Sequence, residues 1–260
     1  MQAMMMRFLR LLTNRRMMAV LVTSFSSGLP LALTASVLQA WYTEQGINLM
    51  TIGLLSFVGL PYLLKVFWAP LMERYIPLSI GKRKSWIVVC QAALVVMLVS
   101  VSYYDPVTAP EVVAVFALII AFLSASQDIM VDAYRADIAK EEERGLAASY
   151  ATVGYRLAML LSGSLSFIVA FYVGWPATYR LMAVVMAILM VMMVWVPKVP
   201  GQSLQPISLK QAVIEPWHEF FTRPCVLWVI CFLVLYKIPD AFALSLNATF
   251  LLRGLGFSSL

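Results

Sequence analysis

Long apolar runs alternate with short polar breaks along the whole chain. The runs cover roughly 17–41, 50–72, 86–104, 112–132, 146–173, 180–197 and 226–252. Each is close to the ~20 residues a helix needs to cross the hydrocarbon of a bilayer. The pattern predicts an all-α transmembrane protein with seven crossings. Composition agrees, at 62% hydrophobic and 12% charged residues. The first run is too long for the apolar core of a secretory leader, and no small-residue cleavage site follows a short one, so it reads as a span.

The polar breaks are unequal in charge. Arg7, Arg10, Arg15 and Arg16 precede the first run; Arg74, Lys82, Arg83 and Lys84 join the second to the third; Arg135, Lys140 and Arg144 join the fourth to the fifth; Lys198, Lys210 and Arg223 follow the sixth. The intervening breaks at 42–49, 105–111 and 174–179 carry no Lys or Arg. This asymmetry predicts a cytoplasmic N-terminus and, after seven crossings, an outer C-terminus. The net charge of +6 is thus a topology signal, with no basic stripe suited to nucleic acid. Cys90, Cys225 and Cys231 lack metal or redox spacing, and the single histidine, His218, lies in a polar segment. No cofactor or metal is expected.

The longest break, 198–225, holds prolines at 200, 206, 216 and 224 and an amphipathic stretch, Ile207–Ile214. It reads as a cytoplasmic linker with a short interfacial helix. The expected domains are a six-helix half at 1–197, this linker, and the first helix of a second half at 226–260. An internal echo supports the division. Leu38, Ala40 and Gly46 recur as Leu246, Ala248 and Gly254 in similar surroundings, with Pro30 and Pro239 one residue out of register. Parallel six-helix halves make the major facilitator architecture. The second copy stops where its second helix should begin, so the chain reads as truncated.

Charged groups within spans are costly unless paired or hydrated, and are the first candidates for function. They are Lys65 in the second span, Asp128 in the fourth, Arg156 in the fifth, and Lys237 with Asp240 in the seventh. Ser124, Asp128 and Asp132 recur every four residues, with Gln127 and Arg135 on the same face, giving a polar stripe along one half of the fourth helix. The stripe either lines an aqueous cavity or forms an internal network neutralised by Lys65, Arg74 or Arg156. In the fifth span Gly154, Ala158, Ser162 and Ser166 form a small-residue stripe suited to close helix packing, while Arg156 points elsewhere. Pro239 should kink the seventh helix between Lys237 and Asp240, with a counterpart at Ser26–Pro30 in the first. Glu73, Arg74, Lys82 and Arg83 resemble the major facilitator loop motif of breakable ion pairs, and Asp132 and Arg135 are expected to join the gating set.

Ser27–Leu31, Leu38–Trp41, Phe67–Arg74, Ser124–Ile129, Asp132–Asp137, Glu143–Gly145 and Gly154–Leu157 together resemble the AmpG-type muropeptide permeases of the major facilitator superfamily. The likeness runs from about residue 23 to the end, in order and at similar spacing, with Glu73 where that family commonly has aspartate. It implies a Gram-negative inner-membrane carrier that imports anhydro-muropeptides with protons, feeding peptidoglycan recycling and beta-lactamase induction. Related carriers of acetyl-CoA or siderophores keep the cargo open. For a muropeptide, Arg156 and Lys65 would hold carboxylates, Trp41 would stack on a sugar, and Gln39, Gln127 and Tyr155 would bond hydroxyls. Asp128 and Asp240 are the candidates for proton coupling. The expected partners are the solute, membrane lipids and a missing second half.

Other classes fit less well. A retinal Schiff base on Lys237 conflicts with the predicted orientation and the echo, and a membrane enzyme lacks a catalytic set with one histidine. A third alternative is a polypeptide that does not transport alone, because alternating access needs two halves around one site.

Overall fold

A computed structural model describes residues 14–200, 209–222 and 224–249. The chain divides into two units, Met1–Ile207 and Ser208–Leu260. Every element of the described residues is helical, and six helices are long and apolar enough to cross a membrane.

The first crossing, Arg15–Glu44, comprises α1 (Arg15–Thr34) and α2 (Ser36–Glu44). Asn14 caps α1, its Oδ1 accepting from the Arg16 amide at 3.1 Å. The helix runs through Pro30 and breaks instead at Ala35, where φ is −106° and ψ −102°. Past the proline, Thr34 Oγ1 donates back to the Pro30 carbonyl at 3.1 Å, an added bond within the last turn of α1.

The second crossing, Leu49–Phe67, is one helical rod on paper and a broken one in the molecule. It consists of α3 (Leu49–Leu54), a 3₁₀ turn at Leu55–Gly59, α4 (Leu60–Leu64) and a second 3₁₀ turn at Lys65–Phe67. The short α5 (Ala69–Arg74) follows. Pro61 and Pro70 each remove a backbone donor, so the ladder cannot run uninterrupted.

The remaining crossings are α6 (Lys82–Val101), α7 (Pro110–Ile138), α8 (Arg144–Leu160) continued through a five-residue π turn into α9 (Ser166–Val173), and α10 (Trp175–Met192). Gly174 alone separates α9 from α10; its φ of +89° is open to glycine and strained for other residues, so it reverses the chain in one step. In the second unit, α11 (Leu209–Thr222) lies within the segment read as a linker, and α12 (Val226–Thr249) forms the seventh apolar run. Its apolar part among the described residues is Val226–Pro239. The kink expected at Pro239 is not an interruption, because α12 is one continuous helix through that residue.

In the first unit α1 is the central helix, packed against α7 and α8, while α6 packs against α7 and α10. One apolar core gathers Leu33, Trp41, Leu94, Leu98, Tyr179 and Met186 toward the end whose loops lack Lys and Arg. A second gathers Val20, Ile87, Met130, Tyr134 and Met193 toward the basic end. Between them α1 and α7 carry their polar residues inward. Outward-facing side chains such as Leu49, Phe171 and Val194 remain exposed, as a lipid-facing surface requires.

Candidate functional site

A cavity of about 330 Å³ lies among α1, α7 and α8. Its walls carry Ser27 from α1, Asp128, Asp132 and Arg135 from α7, and Tyr155 and Arg156 from α8. The four-residue spacing read from the sequence therefore does place Asp128 and Asp132 on one surface. Asp128 lies ten residues before the end of α7, about 15 Å of helix from the basic face.

Asp128 is 9% exposed, and the groups around it offset the cost of enclosing a carboxylate. The Ser27 hydroxyl donates to its Oδ1, and Lys65 Nζ lies 3.7 Å from its Oδ2. The irregular second crossing is what brings Lys65 in, since the 3₁₀ turn at Lys65–Phe67 sets the direction of that side chain. Of the three cations read as possible neutralisers, only Lys65 pairs with Asp128. Arg74 instead lies over the Tyr75 ring at 5.4 Å. Asp132 pairs with Arg135 on its own helix at 3.2 Å, and Arg156 stands in the cavity wall with no ion-pair partner among the described residues.

A polar layer continues behind this wall. Gln127 is fully buried and donates Nε2 to Ser26 Oγ at 2.8 Å, leaving its amide oxygen without a protein partner. Trp68 Nε1 donates to Ser126 Oγ at 3.0 Å. The buried hydroxyls of Ser124 and Tyr62 also lack well-formed protein partners. In a packed apolar interior each unpaired group would cost about 1–3 kcal/mol; in a region that exchanges water or solute the cost falls away.

Two residues assigned to this site by sequence lie elsewhere. Trp41 is 2% exposed and belongs to an aromatic cluster at the opposite end, stacked on Trp175 at 6.3 Å and tilted against Tyr179 at 5.4 Å. It borders a separate cavity of about 310 Å³ with Glu44, Tyr104 and Asp105. Gln39 is exposed and lines neither cavity. Both follow the break at Ala35, which the sequence does not announce and which sets the direction of every side chain beyond it. Asp240 lies in α12, and its side chain falls outside the described residues, as does most of the repeated segment after Leu246.

At the basic end, Glu73 receives Lys82 Nζ at 2.6 Å and the Arg83 guanidinium. Arg83 Nε also donates to Asp137 Oδ2 at 2.9 Å. Burial alone would raise the Glu73 carboxyl, but hydrogen bonds from Lys82 and Arg83 outweigh it and hold the group below the ordinary carboxylate range. Three of the four loop residues read from sequence thus form a network, and Arg74 stands apart. Asp137 was missed: it falls off the four-residue stripe, and only its place next to the last residue of α7 marks it.

The comparisons with known proteins extend over nearly the whole chain. Residues 20–260 match the Major Facilitator Superfamily. The anhydromuropeptide permease of Escherichia coli K12 is 41% identical over 254 residues, covering 97% of this chain and 52% of the permease, and that of Escherichia coli O157:H7 matches equally. A Haemophilus influenzae protein is 39% identical over 250 residues, covering 94% of this chain and 59% of its own length. The chain spans about half the length of the curated relatives it matches.

Proposed function

The chain belongs to the major facilitator superfamily, and from that premise we propose that it forms part of an inner-membrane permease importing anhydromuropeptides. In this reading its N-terminus is cytoplasmic, as the distribution of Lys and Arg favours. Two properties support the substrate class. Two relatives that match 97% of this chain are anhydromuropeptide permeases, and the α1–α7–α8 cavity presents in its wall Arg156, a cation without an ion-pair partner among the described residues.

Arg156 is the observation that carries the proposal. A guanidinium that lacks a protein carboxylate suits a carboxylate on the cargo, because its planar fork matches that group bidentately. A peptide-bearing sugar supplies such carboxylates, and Tyr155 beside it can bond hydroxyls. The cavity is at the small end of ligand pockets, which run to about 1,000 Å³. It would hold one portion of a muropeptide, with the facing half of a complete carrier enclosing the rest.

Asp128 is the group assigned to proton coupling. Protonation would release Lys65 from its 3.7 Å pairing, freeing a second cation for the cargo at the moment a proton arrives. Proton and anionic solute would then bind together, which is symport. The Glu73–Lys82–Arg83–Asp137 network would serve as the gating contact, broken and remade as the carrier changes face.

The test is uptake of labelled anhydromuropeptide by a permease-deficient strain. The strain would carry these 260 residues with the remaining portion of the Escherichia coli relative. Uptake is expected, falling at least about tenfold with Arg156→Gln, the loss of one charge-assisted contact of ~1.5–3 kcal/mol. Full-strength uptake by the Arg156→Gln variant, or no uptake while the intact relative transports in the same strain, would overturn the reading.

A further inference from the structure

The end of α10 gathers three cations from three parts of the chain. Arg15, the first residue of α1, donates Nε and Nη2 to the Trp195 carbonyl at 3.3 and 2.9 Å. Lys84, in the first turn of α6, donates Nζ to the carbonyls of Val194 and Val196 at 3.3 and 3.0 Å. Lys198 follows on the same segment and lies over the start of α6, where a methyl added to Gly81 would stand 3.9 Å from its Cγ. Tyr134 of α7 donates to the Pro197 carbonyl at 2.9 Å and so fixes the backbone that carries Lys198. Arg15 and Lys198 are both near enough to repel Lys84.

The described carboxylates on this face that form ion pairs take other cations. Glu73 and Asp137 take Lys82 and Arg83, and Glu143 takes Arg16 and Asn14. Among the described residues Arg15, Lys84 and Lys198 have no acidic partner. The carbonyls that Arg15 and Lys84 find lie in the turn just past the end of α10 and offer only partial negative charge. Three positive charges against those partial charges leave a local excess, held in place by hydrogen bonds to backbone carbonyls and by the packing of α1, α6 and α7 around the end of α10.

The rim of this cluster is apolar. Val194 is 73% exposed and Trp195 64% exposed, at the point where a membrane-spanning helix ends. An outward tryptophan at such a point sits at the boundary between headgroups and acyl chains. A soluble phosphate would use the cations alone. An acidic phospholipid would use both, its phosphate among the cations and its glycerol and upper acyl carbons along the indole. Basic pockets at helix ends beside the membrane surface recognise lipid headgroups in this way.

We propose that Arg15, Lys84 and Lys198 form a binding site for the headgroup phosphate of an acidic phospholipid, with Val194 and Trp195 against its apolar part. The site is separate from the cavity holding Asp128 and Arg156 and does not depend on what the carrier moves. A bound lipid would join the ends of α1, α6 and α10 through a negative charge that no ion pair among the described residues supplies.

Native mass spectrometry of the purified, delipidated 260-residue chain with added phosphatidylglycerol, phosphatidylcholine or sodium phosphate tests this. Phosphatidylglycerol is expected to bind at least about tenfold more tightly than phosphatidylcholine. Lys198→Gln should weaken it about fivefold, the effect of one surface cation, and the Arg15→Gln/Lys84→Gln/Lys198→Gln variant about a hundredfold. Lys198 caps no carbonyl among the described residues, so its variant decides the matter even where the triple variant does not fold. Lys140→Gln, which removes a charge from the same face outside the cluster, should leave binding unchanged. Equal retention of the two lipids, unchanged binding in Lys198→Gln, an equal loss in Lys140→Gln, or displacement of the lipid by millimolar phosphate would each overturn the assignment.

Discussion

Asp128 is held by two unequal partners, and the difference sets what substitutions will do. Ser27 supplies a hydrogen bond from α1, and Lys65 supplies charge from the irregular second crossing. Removing one member of an enclosed ion pair costs more than the pair itself is worth, because the survivor keeps its desolvation penalty. The lysine side chain is 33% exposed and the aspartate's 11%, so the aspartate is the one stranded. Lys65→Met should therefore destabilise the protein by about 1–3 kcal/mol, visible as a lowered unfolding temperature in detergent. Asp128→Asn should cost less, since the amide oxygen still accepts from Ser27 and the lysine can turn to water. Equal losses from the two variants would show that the pair is not enclosed. Asp128 was legible in the sequence because a charge in an apolar run, four residues from Ser124 and from Asp132, is conspicuous on a regular helix. Its partner was not, because the choice among Lys65, Arg74 and Arg156 depends on two 3₁₀ turns. Trp41 shows the converse: large, aromatic and near a span end, it suggested a sugar platform, yet its ring is enclosed by Trp175 and Tyr179.

The crossing of α1 with α8 depends on two glycines that face each other's helix. A methyl at Gly28 would stand 2.5 Å from the Tyr155 carbonyl oxygen, and one at Gly154 would stand 2.6 Å from that of Leu21. Backbone cannot yield as a side-chain end can, so the helices must part. Gly154→Ala should cost about 1–3 kcal/mol as overpacking even though alanine is the better helix former. Gly145→Ala, with open space around it, should be neutral or slightly stabilising; similar thermal shifts for both would refute the close crossing. The stripe of Gly154, Ala158, Ser162 and Ser166 announced this packing in advance, and all four are buried. The ion pairs that tie the end of α5 to the start of α6 carry a different signature, in pH. The Glu73 carboxyl is held below its unfolded value, so its contribution is present above ~4.3, the ordinary glutamate pKa, and is lost as pH falls through the lower folded value. Stability measured against pH should decline on that acid limb in the parent protein, and Glu73→Gln should flatten it while losing stability at neutral pH. An unchanged limb in the variant would place the acid sensitivity in another group. Residue types and positive charge indicated the network, but not that Arg83 reaches Asp137 while Arg74 turns away to Tyr75.

Across the first unit, the contacts assign the connections to two faces independently of hydropathy. Asn14 meets Glu143, Arg15 meets Trp195, Arg83 meets Asp137 and Lys84 meets Val196, so the connections at those positions share one face. Trp175 meets Glu44 at 2.7 Å, Arg180 meets Ser102 at 3.0 Å and Tyr42 meets Pro110 at 2.7 Å, which gathers the others on the second. The first face holds the basic connections, and the second holds the three without Lys or Arg. Hydropathy alone locates the spans, and the first six of the seven expected crossings, with their charge asymmetry, agree with a partition built from side-chain geometry. With the basic face inward, single cysteines at Gln45 and Thr108, in a background without native cysteines, should react with a membrane-impermeant maleimide added to intact cells. Cysteines at Lys140 and Lys198 should react only after the membrane is opened. Both target pairs are exposed, so failure to label cannot be put down to burial. Labelling of Lys140 and Lys198 from outside would invert the protein, while mixed labelling within either pair would break the two-face partition itself. The second outcome is the more damaging, because it would contradict contacts between side chains and not only the sign of a charge bias.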